Sequence, residues 1–176
     1  MRQMMLIAVF VLSACATPAA AQRTDHPAES CAAMDAALPA GLGDWNGKVA
    51  IGTAPSPEHA LHAPLAPGKG YDASLAKKAE VVFSVEPQKP GGSVSYSGLF
   101  SFTVETAGNY AVALGTEAWI DVLEDGKALK PSKFGHGPEC TTIRKMVTFA
   151  MKPGVHVLQV AGNGADKLRV MVAKTS

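Results

Sequence analysis

The chain has 176 residues, and its 16 Lys and Arg nearly cancel 15 Asp and Glu, for a net charge of +1. No basic stripe exists to attract nucleic acid, and 17 glycines with 12 prolines favour a turn-rich protein over a helical one. Beyond the N-terminus no apolar run reaches the ~20 residues of a membrane-spanning helix, so the mature chain is not expected to cross a bilayer.

The first stretch, "MRQMMLIAVFVLSACATPAAAQ", places Arg2 before an apolar run and then small residues. That order is a secretory signal. Two processing readings stand. Cleavage after Ala21 follows the small-residue rule and makes residues 1–21 a signal peptide. Leu12-Ser13-Ala14-Cys15 instead resembles a lipoprotein box, with residues 1–14 removed and Cys15 lipidated. Either way the chain is exported, to the periplasm or to the outer membrane as an anchored lipoprotein. Membrane contact would then come only through the lipid, at about 0.8 kcal/mol per buried CH₂.

Export sorts the three cysteines. Cys15 is lipidated or removed, leaving Cys31 and Cys140 as an even pair in a disulfide-permissive compartment. A bridge would close a loop worth about 4–5 kcal/mol in chain-entropy models; the alternative is two buried thiols.

Residues 22–70 read as an irregular N-terminal segment. Ser30 is placed to cap a short helix ending at Leu38, before Pro39. "KVAIG" at Lys48–Gly52 has strand character. "TAPSPEHALHAPLAPGKG", with His59 and His62, reads as a surface connection.

Residues 71–176 form the β-domain. Short alternating runs predict strands at Glu80–Glu86, Leu99–Glu105, Asn109–Leu114, Trp119–Leu123, Met146–Met151, Val155–Val160 and Leu168–Ala173. Asp125-Gly126 suits a type I′ hairpin turn. "FTVETAGNYAVAL" and "FAMKPGVHVLQV" share a layout, with His156 where the first copy has Tyr110. The echo suggests two similar hairpins. The whole predicts an all-β fold: an antiparallel β-sandwich, jelly-roll-like.

"KPGGSVSYSGLFSFTVETAGNYAVALGTEAWIDVLEDGK" and "FGHGPECTTIRKMVTFAMKPGVHVLQVAGN" resemble a group of small exported Gram-negative bacterial proteins that automated naming labels "homogentisate 1,2-dioxygenase". The likeness covers most of Val85 to Ala173 and extends weakly to "ALPAGLGDW". The label implies Fe(II)-dependent aromatic ring cleavage; the full-length enzymes of that name are much larger cytosolic cupins. A looser likeness joins the "aG-x-Y" hairpin and "dG" turn to carbohydrate-binding and pre-peptidase β-sandwich modules.

A non-haem Fe(II) site needs two His and a carboxylate with open positions. His136, Glu139 and His156 are the candidate ligands. Against this, His136 reads as a polar loop residue, Glu139 as solvated or paired with Arg144 or Lys145, and His156 as a packed strand residue. Without that site there is no cofactor. No G-x-S-x-G elbow, phosphate loop or zinc-cluster spacing is present. Cys140 beside His136 mimics a Cys–His pair, but a disulfide would consume the thiol.

Trp119 and Asp121 share one face of their strand, while Ile120 and Val122 point to the core. With Tyr96 and Arg144 as groove neighbours, they form a candidate binding surface for a glycan or envelope polymer. The competing reading buries Trp119 under the N-terminal segment tethered by Cys31. The sequence as a whole reads as an exported, disulfide-linked β-sandwich serving as a binding or structural module; the rival is a small Fe(II)-dependent dioxygenase.

Overall fold

A computed structural model describes Cys31 and residues 33–175. The expected signal segment with its two processing readings, Cys15 and the Ser30 cap lie outside the described residues.

Two mixed sheets pack face to face. The first holds β1 (Val49–Gly52), β3 (Gly70–Ser74), β12 (Lys167–Lys174), β6 (Gly108–Leu114), β10 (Lys145–Met151) and β9 (Lys133–Gly135), in that order. The second runs β2 (Pro64–Leu65), β5 (Tyr96–Val104), β11 (Gly154–Asn163), β7 (Trp119–Glu124) and β8 (Lys127–Ala128), with β4 (Ala76–Lys77) also on β5.

Four antiparallel pairings nest inside one another: β3 with β12, β5 with β11, β6 with β10, and β7 with β8. A ribbon of nested pairs, rolled so that successive pairs alternate between sheets, is a jelly roll. The innermost turn is the expected one. Asp125 and Gly126 both take positive φ, +50° and +74°, as a type I′ turn requires.

Period-2 alternation builds the core. Phe100, Phe102 and Val104 of β5 face Val112 and Leu114 of β6, Ile120 and Val122 of β7, and Phe149, Leu158, Val160, Val170 and Val172 from the later strands, all buried. Each large side chain contributes about 1.5–3 kcal/mol on burial.

Several expectations are corrected. The sheets are mixed, because β1 lies parallel to β3 and β2 parallel to β5. Strand structure therefore begins well before Tyr71. The echoing segments are not hairpins: each connects one sheet to the other, and the two arches pair strand for strand. Ala33–Leu38 forms turns rather than a helix. Asp35 there takes φ +60°, and its carboxylate accepts from the Thr142 amide and hydroxyl at 2.7 and 2.6 Å. Glu80–Glu86 is not a strand either. Val81 is buried in the main core cluster and Phe83 packs against it, while the Ser84 amide donates to the Gln159 side chain at 2.8 Å.

A second apolar cluster covers the first sheet's outer face. Leu42 and Trp45 pack with Ala113, Ile143, Met171 and Ala173. Gly70 permits this close approach, because a Cβ there would collide with the Asp44 carbonyl oxygen. Cys31 and Cys140 are joined by a disulfide, with Cα atoms 5.3 Å apart. The Asp35 amide donates to the Cys140 carbonyl beside it.

Candidate functional site

β7 carries the best-defined polar–aromatic arrangement. Ile120 and Val122 enter the core, so alternation sends Trp119 and Asp121 to the outer face. The Trp119 indole N–H donates to Asp121 Oδ2 at 2.9 Å. Both side chains are half-buried. The Lys145 and Lys89 ammoniums lie 5.5 and 5.9 Å from the indole centroid, within cation–π range. Lys145 Nζ also donates to the Ala118 carbonyl at 2.9 Å, which fixes it beside the ring.

Burial shapes the charges here. It pushes the Asp121 carboxyl above its ordinary range, against the lowering effect of the Trp119 hydrogen bond. It holds the Lys145 amine below its ordinary range; Glu117 opposes that shift and Lys89 reinforces it.

Of the expected neighbours, Tyr96 packs on the main core. Arg144 instead borders an adjacent cleft of about 490 Å³ with Glu117, His136 and Glu139. Trp119 is half-buried, whereas Trp45, which lies within the N-terminal segment itself, is fully buried, with its indole N–H donating to Thr142 Oγ1 at 2.8 Å. Lys89 and Lys145 were missed by sequence reasoning, since nothing local to "EPQKP" or "IRKM" predicts that they meet at Trp119.

The proposed iron ligands do not converge. His136 and Glu139 share the 490 Å³ cleft, where His136 Nδ1 meets Glu117 Oε1 at 3.3 Å. This cleft adjoins the Lys145 end of β10, since Gly135 pairs with Met146. His156 lies at the other end of the sandwich, near the start of β11, paired with Phe102. There it is buried, and its Nε2 faces Glu124 Oε1 at 3.3 Å. Strand register therefore separates His156 from the other two. Among the described residues, no group of three or more His, Cys, Asp or Glu is arranged to hold a metal.

No family model matches this sequence, and no curated protein matches it.

Proposed function

We propose that this chain is exported to the cell envelope and serves there as a binding or structural module, holding a glycan or other envelope polymer at Trp119 and Asp121. One observation carries the reading: a partly exposed indole locked in place by a carboxylate and flanked by two ammoniums. A preoriented aromatic surface loses little entropy on contact. Carboxylate and ammonium groups around it supply the directional polar contacts that sugars need. The two lysines favour polymers carrying acidic groups.

Export is tested by fractionating cells that express the wild type and Cys15→Ser. Binding is tested by co-sedimentation of the purified protein with insoluble envelope polysaccharide. Retention that Trp119→Ala abolishes supports the reading; equal retention of both proteins removes Trp119 from it.

A further inference from the structure

His59 and His62 lie on the 3-10 turn Pro57–His62. A 3-10 helix has three residues per turn, so positions i and i+3 eclipse. The "HALH" spacing therefore sets both imidazoles on one side, their centroids 6.0 Å apart. Both residues are exposed, and both border a cleft of about 340 Å³. The turn is firmly mounted: Ala60 is fully buried within the main core cluster, and the Ser101 amide of β5 donates to the Ala63 carbonyl.

The hydrogen bonds also select a tautomer. Ser56 Oγ lies 2.6 Å from Glu58 Oε2 and 2.9 Å from His59 Nδ1. An ionised carboxylate only accepts, so the single hydroxyl proton goes to Glu58. His59 Nδ1–H must then donate to Ser56 Oγ, leaving Nε2 with its lone pair bare. A ring whose other nitrogen is anchored by a hydroxyl–carboxylate relay is oriented as metal-ligating histidines are.

We propose that His59 and His62 form a two-imidazole site for a borderline first-row divalent cation, with water completing the coordination. His59 ligates through Nε2. Imidazole selects Cu²⁺, Ni²⁺ or Zn²⁺, with Cu²⁺ tightest by the Irving–Williams order. Ca²⁺ and Mg²⁺, which take oxygen ligands, are poorly served. The site is independent of the polymer reading at Trp119.

The test is calorimetric titration of tag-free, disulfide-intact protein with Cu²⁺, Ni²⁺ and Zn²⁺. It is run at pH about 7.5 and about 5.5, above and below the ordinary imidazole pKa of about 6.5. One-to-one binding is expected at the higher pH, weakened at least tenfold by His59→Ala and by His62→Ala, unchanged by His136→Ala, and lost at the lower pH. Ser56→Ala should weaken it less and shift the His59 tautomer, read from ring-nitrogen chemical shifts. Binding unaffected by either the His59 or the His62 variant, or weakened as much by His136→Ala, overturns the proposal.

Discussion

Phe102 and His156 occupy paired positions of β5 and β11, and their rings stack at 5.4 Å with 18° between planes. Their counterparts, Phe149 and Tyr110, are likewise paired across β10 and β6. The phenylalanine of each echoing segment thus faces the ring of the other. The echo marks two arches that zip together, which is why neither is a hairpin.

His156 is buried with Nδ1 at 3.2 Å from the Gly154 carbonyl and Nε2 at 3.3 Å from Glu124. His156→Ala removes the stack and both contacts and leaves a cavity. A loss of about 2–4 kcal/mol is expected in denaturant unfolding. A loss under about 0.5 kcal/mol would show that this pair does not hold the arches together.

The disulfide closes a separation of 109 residues, so Cys140→Ser should cost about 4–5 kcal/mol by the chain-entropy account. The Asp35–Thr142 and Trp45–Thr142 hydrogen bonds join the same two segments through other residues. Trp45 is therefore expected to stay buried in the folded variant, with emission from the shielded tryptophan unchanged. A red shift under native conditions would mean that the bridge alone seats the N-terminal segment.

Asp121 makes a pH prediction. Its carboxyl pKa is raised in the folded state, chiefly by burial. The folded protein then binds this proton more tightly than the unfolded chain. Asp121 thus lowers stability as pH rises from the ordinary carboxylate value of about 3.9 through the raised folded value. Asp121→Asn stays neutral and keeps an acceptor for the Trp119 indole. The stability of the variant minus that of the wild type should therefore grow as pH rises across this window and level off above it. Glu124, whose carboxyl lies below its ordinary range despite burial because of the Lys152 amide and ammonium and His156, is present in both proteins and cancels. A flat difference contradicts the assignment.

Alternation along single strands was legible in the sequence, and so was the Asp125-Gly126 turn, because both are local. The Glu80–Glu86 reading recognised a real period-2 pattern, yet alternation reports which side chains are covered and not what the backbone pairs with. There the Gln159 side chain takes the place of a neighbouring strand. Which tryptophan is fully buried was likewise illegible, since Trp45 and Trp119 differ only in contacts made across the chain. Lys145 reaches Trp119 because β10 starts opposite Leu114, the last residue of β6, a long-range register that no local motif encodes. The same register, read the other way, keeps His156 from His136 and Glu139.

As the proposed polymer-contacting side chain, Trp119 should report binding through its own emission. The most direct test is titration of intrinsic tryptophan emission with soluble acidic and neutral envelope polysaccharides, in wild type and Trp119→Ala. Trp45 is fully buried, so a ligand-induced change should come from Trp119. The predicted result is a saturable change with acidic polymer that weakens as salt screens the lysines and is absent in the variant. No response to any polymer, or an equal response in the variant, would contradict the claim.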